Sequence, residues 1–247
     1  MNRKTSILAL SGLMVGMMAF LLLRMPIISG EWTKQALYLW LLNSCHQQKA
    51  NAQPMIMLVD DDSGPGIFAI HRICEKMGVK ATFAVIPSRL DAMLSDSLKS
   101  WQREGYGIAL HGFDHERWNG WSVDAVASDI SRSEQLLSSL GFESDFQYVV
   151  PPYGCNTVAI RQAIQAKGLQ MVTLANIVNP DNGLFQLGRI MISKDSDLGE
   201  MERILVKAKK ECGFVILGTH SSIPSEFSED KIVTVLKQAL SLRYKFV

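Results

Sequence analysis

Three consecutive aspartates, Asp60, Asp61 and Asp62, stand ahead of a Ser-Gly-Pro-Gly turn, and two histidines four residues apart, His111 and His115, follow about fifty residues later. Imidazole nitrogens and carboxylate oxygens are donors for a divalent cation. A trio of two histidines and one carboxylate leaves coordination positions open for water and substrate, which is a catalytic rather than a structural arrangement. Asp61 supplies the third donor in this reading, beside His111 and His115. Adjacent carboxylates repel one another if all are ionised in a low-dielectric cleft, so a positive charge must compensate them. A divalent cation does this, and it lets one aspartate bind while its neighbour accepts a proton from water. His220, in the stretch LGTHSS, is a candidate proton donor on the opposite side of such a pocket. The plainer readings are an acidic solvated turn for the aspartates, surface caps beside Asp114 and Glu116 for His111 and His115, and a backbone-bonded strand end for His220.

The elements that must position these groups are rhythmic from Pro54 onward. Short apolar runs at 55–59, 82–86, 106–110, 146–150, 169–174, 188–192 and 214–218 read as seven strands. Helical patterns lie between them and end at Gly78, Gly105, Gly141, Gly168 and Gly213, where a helix stop is expected. Strands alternating with helices predict an α/β fold with parallel strands, either a barrel or a doubly wound sheet. In such folds reactive groups gather at the carboxyl ends of the strands. The aspartates, His111, Pro151-Pro152-Tyr153-Gly154 and His220 all fall there, each after a different strand.

Composition narrows the function classes. The chain has 247 residues, 47% of them apolar, with 25 basic against 24 acidic residues. That balance provides no global field for collecting phosphate backbones, which argues against nucleic-acid partners. The four cysteines, Cys45, Cys74, Cys155 and Cys212, have no paired short spacing that would suggest a zinc ribbon or redox dithiol. No protein partner is inferable from the sequence. The run from Thr5 to Leu23 has no charged residue and sits between Arg3-Lys4 and Arg24. As a helix it would rise roughly 28 Å, close to the thickness of the hydrocarbon core. Residues 1–30 are therefore expected to be a transmembrane anchor or a signal segment, with the basic start placing the rest outside the cytoplasm, periplasmic or extracellular. Residues 31–53 read as an amphipathic connector, in which Trp32, Tyr38 and Trp40 suit a headgroup zone, and residues 54–247 as the catalytic domain.

The motifs LVDDDSGPG, GVKATFAVIP, LHGFDHERW, PPYG and ILGTHSS, in this order and spacing over roughly residues 54–220, resemble the polysaccharide deacetylase (NodB-homology) family of carbohydrate esterases. The resemblance implies a distorted, often incomplete, (β/α) barrel of about seven parallel strands. It also implies a divalent metal, most commonly Zn2+, and hydrolysis of acetyl groups on an N-acetylated glycan. Carried onto this chain, Asp61, His111 and His115 hold the metal, Asp60 takes the proton of the attacking water and His220 protonates the leaving amine. The backbone N–H of Tyr153, next to Pro152, stabilises the oxyanion. A register shifted by one residue makes Asp61 the base and Asp62 the ligand. Trp118 and Trp121 offer faces for sugar stacking or anchor their loop.

Two departures from the family pattern bear on activity. Val150 stands where an arginine usually orients the base aspartate, and Asp181 is a poor counterpart of the carboxylate that tunes the acid histidine. Arg161 and Arg189 could compensate, although nothing in the sequence puts either guanidinium in the cleft. The alternatives are a weakly active or non-catalytic glycan-binding relative that keeps the metal, and an esterase acting on O-acetyl groups. The amino-terminal expectation has a direct test. The full chain should fractionate with membranes and a chain lacking residues 1–30 should not, whereas a soluble product whose mass shows loss of the leader would identify a cleaved signal and a secreted protein.

Overall fold

The computed structural model describes residues 53–174, 178–180 and 183–247. The apolar run 5–23, the connector up to residue 52, Cys45 and Asp181 lie outside the described residues. Among the described residues no helix is long and apolar enough to cross a membrane.

Strands and helices alternate in the order β1 (Met55–Asp60), α1 (Ile67–Met77), β2 (Thr82–Val85), α2 (Ala92–Arg103), β3 (Gly107–Leu110), α3 (Val123–Ser139), β4 (Tyr148–Val149) and α4 (Val158–Ala166). There follow β5 (Gln170–Leu174), β6 (Gln186–Met191), α5 (Leu198–Glu211), β7 (Phe214–Thr219), α6 (Glu229–Ser241) and β8 (Lys245–Phe246). Every strand pairing is parallel, and the ring β1-β2-β3-β4-β5-β6-β7 closes back on β1. The expected (β/α) barrel of about seven parallel strands is thus the architecture found. Helix α6 and strand β8 go beyond the expected elements, although Ile232, Val235, Leu236 and Ala239 on α6 have the spacing of one buried helix face.

The barrel is tight at one end and patched at the other. β1 pairs with β7 along its whole length, from Met55 opposite Phe214 to Asp60 opposite Thr219. It meets β2 only at Val59 and Asp60, and its earlier residues Met55 and Ile56 pair with β8 instead. Between β6 and β7 a similar gap is filled by Asn179. Its backbone exchanges hydrogen bonds with Phe214, while its side chain bonds the N–H and C=O of Gly188. Ring closure is therefore best at the carboxyl ends of the strands.

Strand side chains alternate between two faces. Met57, Val59, Ala84, Ala109, Val150, Val172, Leu187, Phe214 and Ile216 fill the barrel interior. Ile56, Leu58, Phe83, Val85, Ile108, Leu110, Val215 and Leu217 pack outward into the layer made with the helices. The helices start on side-chain caps: Asp91, Ser122, Thr157 and Asp197 each accept a backbone N–H of the first turn. Phe214 is fully buried at the foot of the interior. Phe214→Ala should cost about 3–5 kcal/mol of unfolding free energy. Urea denaturation checks this, and a loss below about 1 kcal/mol would mean that the interior is not a packed core.

Candidate functional site

Alternation decides where each aspartate goes. Met57 and Val59 point into the barrel, so Asp61 continues that face at its mouth, whereas Asp60 follows Ile56 and Leu58 toward the helices. Asp60 is fully buried, accepting the Ser221 N–H at 2.8 Å and bonded to the Ser221 hydroxyl at 2.5 Å. Burial pushes its carboxyl up to about 8 despite those bonds. Asp60 thus lies behind the strand, on the face opposite to Asp61, and not at the mouth where the sequence reading put the base.

Asp62 leaves the strand in a left-handed conformation, φ 75°, followed by Ser63 at φ 44°. The Ser63 hydroxyl holds this turn by donating to the Ala84 carbonyl and accepting the Ile86 N–H, both at 3.1 Å. The turn brings Asp62 Oδ1 to 3.3 Å from His115 Nε2 and 3.6 Å from His111 Nε2. Asp62, His111 and His115 each offer one ligand atom, all within 4.8 Å of one another. Asp62, rather than the expected Asp61, is therefore the carboxylate that faces both imidazoles. The shifted register accounts for it.

His111 follows β3 on its inward face and is 2% exposed. Its Nδ1 lies 2.6 Å from the Val150 carbonyl, an acceptor that requires a proton on Nδ1 and turns Nε2 toward Asp62. His115 reaches the site from the loop after β3 at φ 65°. Burial, and then the neighbouring His111, lower its imidazole to about 4, so His115 is neutral near pH 7. The loop between them is anchored by fully buried Trp118 and by Asp129, which accepts the Phe113 N–H at 2.9 Å. Trp118 therefore presents no face to a sugar. Gly112 combines φ 73° with a close approach in which a Cβ would lie 2.8 Å from Pro152. Pro152 is buried in that contact, and the neighbouring Tyr153 stands at the rim, 53% exposed, with φ 57°. Its ring lies 4.5 Å from His115 and 4.3 Å from the Arg117 guanidinium. Left-handed backbone costs about 1–3 kcal/mol per non-glycine residue. Asp62, Ser63, His115 and Tyr153 concentrate that cost around one point.

Asp61 meets a cation that the sequence did not place. Arg189, on the inward face of β6 and 3% exposed, donates from Nη1 to Oδ1 at 2.7 Å, with Nη2 2.7 Å from Oδ2. Burial opposes ionisation of Asp61, but Arg189 and then the histidines hold its carboxyl well below the usual range. Gly218 opens the path, since a Cβ there would lie 3.2 Å from Arg189 Cδ and collide with the Met191 sulfur. Arg189 is thus the guanidinium that meets Asp61, while the Val150 side chain packs in the barrel interior. Arg161 stays away, bonded to Asn156 at 2.6 Å.

His220 Nε2 lies 3.3 Å from Asp61 Oδ2, and its Nδ1 lies 2.6 Å from Glu226 Oε2. Burial would lower this imidazole, but the bonds to Asp61 and Glu226 outweigh it and raise the group to about 9. Glu226 was missed from the sequence because it sits six residues beyond His220 in a loop. Its backbone is pinned where its carbonyl accepts the Lys194 N–H at 2.9 Å.

A second donor group, His71, Glu75 and Glu104, lies among the outer helices. There Lys80 and Tyr106 already bind Glu75, and His71 stacks on Trp101, so the cluster is an ion-pair and aromatic contact.

The family model described as polysaccharide deacetylase matches residues 47–172, half of the chain. No curated protein matches the sequence. Among solved structures, the fold is similar to a family 4 acetyl xylan esterase from Clostridium thermocellum in complex with a cobalt ion. The TM-score is 0.60 at 16% identity, over 78% of this chain and 87% of that one. It is similar to the catalytic domain of peptidoglycan N-acetylglucosamine deacetylase from Eubacterium rectale, with TM-score 0.56 and 16% identity over 80% and 89%. A CE4 family pseudoenzyme from Bacillus anthracis is also similar, with TM-score 0.52 and 13% identity over 78% and 63%. With its barrel, its motif order and half its length matched, the chain belongs to the polysaccharide deacetylase family of hydrolases.

Proposed function

We propose that this protein is a metal-dependent deacetylase of an N-acetylated glycan. The observation that carries the reading is the convergence of Asp62, His111 and His115 beside an ionised Asp61 and a histidine acid, His220. The donor set fits a divalent cation: one carboxylate and two imidazoles, one held at its Nδ1 by a backbone carbonyl. Zn2+ suits this borderline mixture of nitrogen and oxygen donors. When bound, the cation supplies Lewis-acid polarisation and makes water acidic enough to lose a proton near neutral pH.

The chain supplies the remaining steps. Asp61 accepts the proton of the attacking water as oxygen bonds to the acetamide carbon. Arg189 orients that carboxylate and keeps it ionised, at some expense to its basicity. His220 donates its proton to nitrogen as the C–N bond breaks, and Glu226 holds the imidazole by Nδ1. The Tyr153 N–H stabilises the oxyanion from the rim. The products are acetate and a free amine on the sugar. An amine leaves only when protonated, so a charged His220 backed by a carboxylate supports amide over ester cleavage. The location outside the cytoplasm rests on the apolar run 5–23 alone.

Acetate release from N-acetylglucosamine oligomers tests the reading. Chelator should abolish it and Zn2+ restore it. Asp62→Ala should lose bound metal, whereas Asp61→Asn and His220→Ala should keep metal and slow turnover by roughly 10²–10⁴-fold. Metal loss in Asp61→Asn with full occupancy in Asp62→Ala would return Asp61 to the ligand set. Bound metal without acetate from any acylated glycan would favour the binding-only reading, for which the Bacillus anthracis pseudoenzyme is a structural precedent.

The His220 pair also predicts a pH dependence. Because its folded value is raised to about 9 from the ordinary 6.5, its contribution to stability is complete below about 6.5 and disappears as pH rises through 9. Glu226→Gln should therefore lower the melting temperature more at pH 6 than at pH 10. Equal losses at the two values would show that Glu226 does not act through the imidazolium.

A further inference from the structure

Behind the proposed catalytic pair lies a second pair that the mechanism does not use. β1 and β7 run side by side, and the Asp61 N–H donates to the Thr219 carbonyl at 3.0 Å, so the alternation of the two strands stays in step past their ends. On the mouth side this faces Asp61 with His220. On the helix side it faces Asp60 with Ser221, both buried. Both Asp60 oxygens are engaged by Ser221, Oδ1 by the backbone N–H at 2.8 Å and Oδ2 by the hydroxyl at 2.5 Å. The contact spans 161 residues of sequence and ties the aspartate turn to the turn that carries His220.

The same two turns also touch through backbone. A Cβ on Gly66 would collide with the Ser221 carbonyl, and a Cβ on Gly64 would lie 2.5 Å from the Ser222 hydroxyl. Neither glycine is at positive φ, so close approach is what requires them. Asp60 and the Ser-Gly-Pro-Gly stretch together form a latch against Ser221 and Ser222. His220 is the preceding residue, and its imidazole is met on its other side by the exposed Glu226 and by Asp61.

We propose that Asp60 is a positioning residue: by clamping Ser221 it sets the place of the His220 imidazole relative to Asp61. The proposal rests on the deacetylase reading for its consequence, but the clamp itself does not. An asparagine retains both bonds, accepting the Ser221 N–H through Oδ1 and donating its amide to the hydroxyl, whereas alanine removes both. Misplacement of a reacting group by about 1 Å is enough to cost on the order of 10²-fold in rate.

The test compares Asp60→Asn, Asp60→Ala and Asp61→Asn in the zinc-loaded full-length chain, with kcat and KM for acetate release and the imidazole 1H–15N NMR signals of His220. Asp60→Ala should lower kcat about 10–100-fold with KM and metal content little changed, and should shift the His220 signals. Asp60→Asn should stay within about 3-fold of the parent in kcat and leave those signals in place. Asp60→Asn as damaging as Asp61→Asn, or an unmoved His220 in Asp60→Ala, would overturn the proposal. If the parent chain releases no acetate, the deacetylase reading fails and the NMR comparison decides the clamp by itself. Signals moved by alanine and restored by asparagine uphold it, and signals unmoved by either refute it.

Discussion

Three carboxylates in successive residues cannot share one dry pocket as three anions, and the arrangement of the site follows from how that repulsion is relieved. The chain sends each one to a different environment. Asp60 turns behind the strand, where burial favours its protonated form against the opposing hydrogen bonds from Ser221. Asp61 turns into the barrel mouth, where Arg189 neutralises it. Asp62 turns aside in a left-handed bend toward two imidazoles. Pleated backbone performs the first separation and a strained turn performs the second, so no extra structure is needed to keep the charges apart.

Arg189 is the part on which the active arrangement depends most. Without it, Asp61 would be a buried anion flanked by two other acids, and burial would drive it toward its neutral form. In this chain the guanidinium comes from β6, past Gly218, instead of from the end of β4 where the family usually carries it. Val150 has meanwhile become a packing residue whose carbonyl orients His111. The electrostatic requirement is met from a different strand, because a barrel mouth can receive a side chain from any inward-facing position. A single missing arginine in the sequence is therefore weak evidence for lost chemistry.

His220 likewise has a carboxylate partner that comes from a loop. Glu226, six residues after His220, bonds the Nδ1 of that histidine. The similar solved folds include an acetyl xylan esterase, a peptidoglycan N-acetylglucosamine deacetylase and a pseudoenzyme. Fold therefore does not separate these activities, and the distinction lies in the groups at the mouth. Here a carboxylate–arginine pair and a histidine–carboxylate pair flank the donor trio.

The sequence by itself determined the alternation of strands and helices, their parallel arrangement and the rim on which the polar residues collect, because hydrophobic periodicity and glycine stops are local signals, whereas closure of the sheet into a barrel is a tertiary pairing of β1 with both β2 and β7. It also held the answer to the aspartate register. Ile56 and Leu58 against Met57 and Val59 already assign Asp60 outward and Asp61 inward, but only once one face is known to be the barrel interior. Helix α6 was legible from the spacing of Ile232, Val235 and Leu236, whereas two-residue β8 exists only because β1 leaves an unpaired edge. Partners from other strands, Arg189 for Asp61 and Ser221 for Asp60, were decided by tertiary structure alone. They join residues 128 and 161 positions apart, and ring closure rather than any local preference brings them within bonding distance.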